Sequence, residues 1–345
     1  MKYNKKDLYN TKSKAELEDR LESELFDRIT TSFYKYTELR NPEEVRDELY
    51  LKFRNLKVLG RIYISVEGIN AQLSVPEHNF DKLISSVRDY FGDTNLKKAI
   101  QEGKSFYKLT IKVRKELVAY GVQKDTYDMD QVGKHLDAKA YNRAISDPNS
   151  VLVDMRNYYE SEIGKFENAI IPNVETSKEL LPKVKKILAG KEDKQILLYC
   201  TGGIRCEKAS SYLIKNGFKN VNQLEGGIIQ YAHEIKKKNI KSKFIGKNFV
   251  FDNRLGERIT DDIISNCHIC KEPCDNHTDC KNDACHILFI QCDSCSNLFN
   301  GCCSKDCQNF IKLPFRKQKI YRKDPSKIVS KTFFDSRVKP KLLRE

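Results

Sequence analysis

Cys200 is the residue of this chain whose surroundings are best suited to covalent chemistry. It heads a loop between an apolar run and a helical pattern, and Gly202 and Gly203 let the backbone N–H groups of that loop turn toward one centre. The following helix points its N-terminus at the same centre, and Arg205 adds positive charge. Because such a nest favours an anion, we predict a Cys200 thiolate with a lowered pKa that acts as a nucleophile or sulfur carrier. The predicted active-site loop consists of Thr201, Gly202, Gly203, Ile204, Arg205 and Cys206.

The cysteines of this loop also have plainer interpretations. A lone cysteine at the end of a core strand is more often buried and inert, and only the Gly-Gly-Arg arrangement before a helix favours a reactive Cys200. Cys206 is a candidate resolving thiol for Cys200, although packing at the start of a helix is the commoner role. The sequence leaves the role of Cys206 open between these two.

Ten of the twelve cysteines lie between Cys267 and Cys307, in closely spaced pairs. Two Cys-x-x-Cys pairs make a complete tetrahedral zinc set, and two further pairs interleave with them. Joining the first pair with the third, and the second with the fourth, predicts a cross-braced module that holds two zinc ions, although the number of ions stays open. The eight predicted metal ligands are Cys267, Cys270, Cys280, Cys285, Cys292, Cys295, Cys303 and Cys307.

Disulfides and free thiols are the alternatives to zinc at this cluster. No apolar segment follows the charged residues 1–6, so we expect no secretory signal and a cytoplasmic protein. In a reducing cytosol such a cluster binds zinc more often than it forms disulfides, and a closed four-cysteine site is structural because no coordination position is open for chemistry. The residues left over or able to substitute as ligands are Cys274, one of Cys302 and Cys303, His268, His277 and His286.

The elements that position Cys200 alternate between strands and helices, which predicts a parallel α/β sheet over about residues 147–235. Upstream, residues 29–122 show the order βαββαβ of a ferredoxin-like (acylphosphatase-like) domain, with its fourth strand at 106–113. The fold class is therefore a multidomain protein that combines α+β and α/β domains. In the α/β part, buried strands are predicted at 151–154, 195–200 and 221–224, and helices at 183–188 and 207–216.

The length of the chain favours two or three domains, and we divide it into six segments. These are a helical extension at 1–28, the ferredoxin-like domain at 29–122, a connector at 123–146, the α/β domain at 147–241, a small Cys-rich module at 242–310 and a basic tail at 311–345. No run approaches the roughly 18 apolar residues that a membrane span needs, so we expect no membrane partner.

Positive charge is concentrated in two parts of the chain. The net charge is +14, residues 236–247 contain six lysines and no acidic residue, and residues 311–345 contain twelve basic residues against three acidic ones. A concentrated basic linker and tail fit a polyanion such as nucleic acid, while a solvated tail that only aids solubility is the alternative. The predicted RNA-binding residues are Lys236, Lys237, Lys238, Lys241, Lys243 and Lys247.

Several short sequences resemble known proteins. Val153–Arg156, Tyr199–Ser210 and Leu224–Ile228 resemble a rhodanese domain. The run from Cys200 to Ser210 is more narrowly similar to the rhodanese-related tRNA uridine 5-hydroxylases, family UPF0176, and the likeness extends from about residue 30 to residue 310. Three further sequences share that narrower similarity, namely Ser65–Ala71, Lys115–Gly121 and Phe251–Arg258.

The resemblance implies an oxygen-dependent hydroxylation of the wobble uridine, position 34 of certain tRNAs, to 5-hydroxyuridine, with Cys200 as the essential residue. It also implies that tRNA is bound through its anticodon loop and that molecular oxygen is a co-substrate. Asp154 and Arg156 match the Asp-x-Arg of rhodanese domains, where an ion pair that supports the loop is the default role and direct catalysis is the alternative. The chain contains no flavin or nicotinamide glycine motif, so no cofactor that would activate oxygen is visible.

Two other functions compete with hydroxylation. The loop alone fits a sulfurtransferase that carries sulfur as a Cys200 persulfide equally well. A non-enzymatic RNA-binding protein with a vestigial rhodanese fold is the third hypothesis. Modification of tRNA that requires Cys200 and oxygen separates the first function from the other two.

Overall fold

The structure of the chain, a computed structural model, describes residues 8–174 and 176–323. The start of the predicted N-terminal extension, residues 1–7, and residues 324–345 of the predicted basic tail lie outside the described residues. Within the described ranges, no helix is both long enough and apolar enough to cross a membrane.

The N-terminal domain comprises α1 (Lys14–Glu22), β1 (Arg28–Tyr36), α2 (Pro42–Asn55), β2 (Leu59–Ser65), β3 (Gly68–Pro76), α3 (Phe80–Phe91), β4 (Lys97–Lys98) and β5 (Leu109–Val113). Its strands form one sheet in the order β4-β1-β3-β2-β5, antiparallel except for the parallel pair β2 and β5. Apolar side chains alternate along the strands, so one face packs on α2 and α3 around Phe33, Ile62 and Leu73. The opposite face, which carries polar and aromatic side chains, faces a cavity shared with the rest of the molecule.

The ferredoxin-like order is confirmed, but its fourth strand is not the predicted segment. Beside β1 lies the two-residue strand β4, whereas the strand predicted at 106–113 is observed as β5 at the opposite edge. Both residues of β4 are lysines, so no apolar periodicity reveals it. Tertiary contacts hold β4 in place instead, since Thr31 Oγ1 donates a hydrogen bond to the Lys97 carbonyl oxygen at 2.9 Å.

The second domain comprises β6 (Lys134–Leu136), α4 (Ala138–Ile145), β7 (Ser150–Asp154), α5 (Tyr158–Ser161), β8 (Gly164–Phe166), α6 (Ser177–Leu188), β9 (Gln195–Tyr199), α7 (Ile204–Lys215), β10 (Asn220–Leu224) and α8 (Gly227–Lys238). Four of its strands form a parallel sheet in the order β6-β10-β9-β7. Helices α6 and α7 pack on one face of this sheet and α4 and α8 on the other. The parallel pairing confirms the predicted α/β architecture. Helices cover both faces of the central strands, as is usual for a parallel sheet.

The prediction of a connector at 123–146 is wrong over its second half. Strand β6 pairs with β10, and α4 buries Ala138 and Tyr141 against the sheet. The α/β domain therefore begins before residue 147. The short β6 escaped the sequence analysis because two of its three residues are exposed and polar, which leaves no apolar run to recognise.

The C-terminal part comprises β11 (Phe244–Asn248), β12 (Glu257–Arg258), β13 (His277–Asp279), β14 (Leu288–Ile290), α9 (Asp293–Phe299), α10 (Lys305–Ile311) and α11 (Phe315–Lys323). Strand β11 lies between β8 and β12 in a three-stranded sheet, so the start of the predicted Cys-rich module is built into the second domain. The predicted basic tail begins at the end of α10 and, in its described part, continues as α11.

Helix α7 is the element on which the first two domains meet. Lys208 of α7 is fully buried, and its Nζ donates hydrogen bonds to Glu67 Oε1 at 2.8 Å and Glu116 Oε2 at 2.9 Å. The Tyr120 hydroxyl donates to the carbonyl oxygen of Arg205 at 3.0 Å. Glu67, Glu116 and Tyr120 belong to the short sequences that resemble the hydroxylase family. Those sequences therefore hold α7, and with it the Cys200 loop, against the N-terminal domain.

Candidate active site

The Cys200 loop joins the C-terminal end of β9 to the N-terminus of α7, as the sequence predicts. Cys200 follows β9 directly and is fully buried, yet it lines a cavity of about 340 Å³. The backbone N–H of Gly203 donates to Cys200 Sγ at 3.2 Å, and the backbone N–H groups of Arg205 and Cys206 also help to lower the pKa of this thiol. The loop is thus an anion nest centred on the Cys200 sulfur.

The two glycines of the loop differ in what they require. Gly203 has φ of 102°, and a Cβ there would approach the Tyr34 hydroxyl to 2.8 Å, so glycine is needed both for the backbone and for the close approach of β1. Gly202 has no left-handed φ and faces open space. A third glycine, Gly227 at the start of α8, packs closely against the Cys200 loop. A Cβ there would lie 2.6 Å from the Cys200 carbonyl oxygen, so the close approach of α8 requires glycine.

The environment of the Cys200 sulfur favours the thiolate. Burial opposes the charge, but the thiol of Cys206, the positive charge of Arg205 and the backbone N–H groups together lower the pKa of Cys200 to about 6. Burial and the hydrogen bond to Cys200 raise the pKa of Cys206 well above its ordinary value. Cys206 is therefore a neutral thiol, packed in the core, that stabilises the Cys200 thiolate and so lowers the pKa of Cys200.

Arg205 is held in place by a carboxylate that the sequence analysis did not single out. Its guanidinium donates to Glu160 Oε1 at 2.6 Å and Glu160 Oε2 at 2.8 Å, and Glu160 is fully buried. A third hydrogen bond reaches Thr201 Oγ1 at 3.2 Å. This fork-to-fork pairing fixes the guanidinium beside the loop. Only the helical placement of α5 brings Glu160 there, so no spacing within the sequence signals it.

Asp154 and Arg156 form a fully buried ion pair at the end of β7. Arg156 Nη2 donates to Asp154 Oδ2 at 2.7 Å and to the Gly164 carbonyl oxygen at 2.7 Å, while Ser161 Oγ donates to the same carboxylate at 2.8 Å. The Arg156 guanidinium also lies over the ring of Tyr199, the residue before Cys200. All these contacts connect β7, α5, β8 and β9, and a role in supporting the loop stays the prediction for the pair.

The cavity beside Cys200 is closed on its far side by the N-terminal domain. Tyr34 of β1 donates a hydrogen bond to Glu207 Oε1 at 2.8 Å, and the Lys97 ammonium lies 4.8 Å from the Tyr34 ring centroid. Burial lowers the pKa of Lys97 to about 8, against the opposing influence of the negative Cys200 and Glu207. The site therefore places an ammonium group and a thiolate in one sheltered cavity. Tyr34 and Lys97 lie more than a hundred residues from the loop in the chain, so no local sequence pattern indicates that they belong to this site.

The structure brings the clustered cysteines together in two sets of four. One set is Cys267, Cys270, Cys292 and Cys295, and the other is Cys280, Cys285, Cys303 and Cys307. The sulfur atoms of each set lie within 4.8 Å of one another, in the cross-braced pairing that the spacing suggests. Among the described residues, Cys274, Cys302 and the histidines belong to neither set.

Both cysteine sets fit a tetrahedral metal ion. The Sγ atoms of Cys270 and Cys292 are 3.6 Å apart, and those of Cys285 and Cys303 are 3.7 Å apart. A tetrahedron with Zn–S bonds of about 2.3 Å has edges of about 3.8 Å. Asn282 Nδ2 donates to Cys307 Sγ at 3.3 Å, the kind of outer contact that orients a ligating thiolate. Each set is therefore able to hold a metal ion.

The six lysines predicted to bind RNA are not equivalent in the structure. Lys247 is paired with the buried Asp275 at 2.7 Å, so its charge is compensated inside the protein, which argues against an RNA contact there. Lys238 donates to Glu234 at 2.9 Å, and Lys243 donates to a serine hydroxyl at 2.7 Å. Lys236, Lys237, Lys238 and Lys241 are exposed, and of these four Lys238 is paired with Glu234.

We expect alkylation of Cys200 to titrate with a midpoint near pH 6, because only the thiolate reacts and its pKa is lowered to about 6. In Cys206→Ala the thiol that donates to this thiolate is lost, so the midpoint moves upward. Peptide mass spectrometry after brief iodoacetamide treatment at a series of pH values measures the midpoint. Cys206→Ser, which keeps a donor, is the control, and an unshifted midpoint in Cys206→Ala contradicts the assigned role.

Fold and site together define a rhodanese-type thiol protein joined to an acylphosphatase-like domain. Residues 28–117 match the UPF0176 acylphosphatase-like domain, residues 137–234 the rhodanese-like domain, and residues 245–308 a rhodanese C-terminal domain. The three matches follow the three structural parts described above. They also agree with the α/β domain beginning upstream of residue 147.

Full-length relatives identify the family. A tRNA uridine(34) hydroxylase of Leptospira interrogans is 52% identical over 98% of this chain and 93% of its own length. Proteins of the same name from Photorhabdus laumondii and Yersinia pestis are 48% and 49% identical over 91% of this chain, and they are covered over 91% and 90% of their lengths. The chain belongs to the tRNA uridine(34) hydroxylase family.

Proposed function

We propose that this protein hydroxylates carbon 5 of the wobble uridine of tRNA, using molecular oxygen and the Cys200 thiolate. The observation that carries the proposal is the thiolate, with a pKa lowered to about 6, in a cavity lined by both the rhodanese loop and the N-terminal domain. A cavity of about 340 Å³ accommodates a flipped pyrimidine base. Family membership identifies the base as uracil and the nucleic acid as tRNA.

The thiolate supplies chemistry that uracil needs for reaction at carbon 5. Carbon 6 of uracil is the electrophilic end of a conjugated carbonyl, so Cys200 adds there and transfers electron density to carbon 5 and to oxygen O4. The Lys97 ammonium, which lines the same cavity, stabilises the negative charge on the ring. Carbon 5 then accepts one oxygen atom of O₂, and the second atom leaves as water after taking up two electrons and two protons. Loss of the proton from carbon 5 breaks the bond between Cys200 and carbon 6, which restores the ring double bond and releases the Cys200 thiolate. The reaction therefore consumes a reductant, and a thiol supplies the two electrons.

The tRNA approaches through the anticodon loop. Base-specific RNA recognition targets unpaired loops whose bases can be splayed out, and position 34 lies in such a loop. The exposed Lys236, Lys237 and Lys241 near the end of α8, together with the basic tail, contact phosphates on either side of the loop. Weaker binding at higher salt follows from this arrangement.

Zinc occupies both cysteine sets in this proposal and has a structural role. Each set offers four thiolates and leaves no position for a reacting water, which is the pattern of structural rather than catalytic zinc. Tetrathiolate zinc sites fit a reducing compartment, and tRNA substrates are found there too, so the protein works in the cytoplasm. The Cys-rich part thereby supports the β11–β12 segment beside the active site.

Hydroxylation is tested with unmodified tRNA, the purified protein and a thiol reductant, in air and under strict anaerobic conditions. We expect 5-hydroxyuridine at position 34 in air, with incorporation of ¹⁸O from labelled O₂, and none without oxygen. Mass spectrometry of the digested tRNA measures the product. Formation of a thiolated nucleoside from thiosulfate, with no hydroxylated product, would instead identify a sulfurtransferase that uses a Cys200 persulfide.

A further inference from the structure

The outward face of the N-terminal sheet presents an ordered array of side chains to the active-site cavity. Strand register places Tyr34, Asn70 and Tyr63 side by side in one row, and Ser32, Gln72 and Arg61 in the next. All six line the same cavity as Cys200. Neighbours in such rows are about 5 Å apart, so two amide side chains lie at the centre of the array, and Asn70 has an aromatic ring on each side. The core of the domain does not use this face.

The two central amides form one hydrogen bond with each other and leave other amide groups available for a ligand. Gln72 Nε2 donates to Asn70 Oδ1 at 2.8 Å. Among the described residues, the Asn70 amide N–H groups and the Gln72 amide oxygen have no hydrogen-bond partner. If both amides were turned over, the pair would still bond once internally and would still offer one acceptor and free N–H donors. Half-buried amides with unused groups in a cavity are suited to a polar ligand edge.

We propose that Asn70 and Gln72 bind the imide edge of the target uracil, an inference that rests on the proposed hydroxylation of uridine. That edge presents a carbonyl oxygen, the N3–H donor and a second carbonyl oxygen. The amide pair matches it, since a free N–H donates to a uracil carbonyl while a free amide oxygen accepts from N3–H. The two amides are specificity-determining residues, which orient the base with carbon 6 toward Cys200.

The rest of the array fits this orientation of the base. Tyr34, in the Asn70 row, adjoins the Cys200 loop through Gly203 and Glu207, so the amide pair lies beside the thiolate rather than at a remote surface. Tyr63 lies on the other side of Asn70, and the Arg114 guanidinium carbon lies 5.2 Å from the centroid of the Tyr63 ring. A cation stacked on an aromatic ring binds a neighbouring base or phosphate of single-stranded RNA. Asn70 itself belongs to the Ser65–Ala71 sequence, whose Glu67 contacts Lys208, so one short segment both docks α7 and presents the amide.

The test uses an anticodon stem–loop RNA that carries either uridine or 3-methyluridine at the target position. The methyl group removes the N3–H donor, so wild type should hydroxylate the methylated RNA at least ~10-fold less efficiently in kcat/KM. In the Asn70→Ala/Gln72→Ala double variant, kcat/KM for uridine should fall by ~10-fold or more, and the preference for uridine over 3-methyluridine should largely disappear. Asn70→Asp, which keeps the side-chain size but loses the N–H donors, should show the same loss on uridine.

Thr110→Ala is the matched control, because Thr110 lies opposite Arg61 on β5, on the same sheet but outside the cavity lining. It should retain wild-type kcat/KM and the wild-type preference. An unchanged preference in the double variant would overturn the proposal for the amide pair while leaving uridine hydroxylation intact. Absence of any product from uridine with wild-type protein, in contrast, would refute the hydroxylase function itself. The preference is a ratio within one protein, so partial misfolding of a variant does not mimic the expected result.

Discussion

Cys200→Ser is expected to abolish hydroxylation of tRNA, to below ~0.1% of the wild-type rate. At neutral pH a thiol with a pKa of about 6 is mostly ionised, whereas a serine hydroxyl in the same nest stays protonated. The donors that hold the thiolate, the N–H of Gly203 at 3.2 Å and the Arg205 charge, lower a thiol pKa but leave a serine hydroxyl far from ionisation. The loss should fall on kcat, because Cys200 reacts with the base and does not anchor the RNA.

The measurement is 5-hydroxyuridine formed on unmodified tRNA under single-turnover conditions, with RNA affinity determined in parallel. Cys206→Ser is the matched control, since Cys206 is equally buried on the same loop but only donates to the reactive sulfur. We expect it to retain most of the activity and wild-type RNA affinity. Full hydroxylation by Cys200→Ser would remove the thiolate from the reaction and leave Cys200 with a structural role only.

Removal of metal from the two cysteine sets is the second large effect that we expect. The buried side chains of residues 267–307 form two small clusters, and cysteines make up much of each cluster. Little apolar packing therefore remains once the thiolates no longer bind metal. Structural zinc sites of this kind contribute on the order of 10 kcal/mol of apparent binding free energy to folding. Chelation should therefore unfold this segment while the parallel sheet of the second domain persists.

Zinc stoichiometry and hydrogen exchange measure this effect. Wild type should bind two zinc ions per chain, one for each set, and Cys303→Ser should bind one fewer and lose protection around α10. Cys274→Ser is the matched control, because Cys274 is buried in the same region but outside both sets. It should keep both ions. Protection that is unaffected in Cys303→Ser would mean that the cysteines are free thiols in a self-sufficient core.

Loss of metal should also reach the active site. The segment that leads into the first set contains Phe251, whose ring lies 5.8 Å from the Arg205 guanidinium carbon. The same segment contains Arg254 and Glu257, which pair at 2.6 Å, and Glu257 accepts a hydrogen bond from the backbone N–H of Ile100 at 3.0 Å. The rate of hydroxylation should therefore fall as the zinc content of the protein falls.

The sequence by itself determined the features whose chemistry lies within a few consecutive residues. The Cys200 loop is one of them, because the glycine, the arginine and the helix start that stabilise a thiolate all follow within six positions. The eight clustered cysteines are another, since the short spacing of each pair suits one metal ion and their interleaving suggests which pairs combine. Long apolar runs such as β9 were equally clear, because a buried parallel strand needs no distant partner to be recognised.

Only the tertiary structure decided what surrounds the thiolate. Glu160 reaches Arg205 from a separate helix, and Lys97 reaches the cavity from a two-residue strand that has no apolar pattern. Asn70 and Gln72 gain a role only because the strand register turns them toward Cys200, on the face that the core does not use. These placements depend on contacts between residues far apart in the chain, and local periodicity carries no information about such contacts. One short segment thus specifies the reactive group. The shape and polarity of the cavity around that group arise from the packing of two domains.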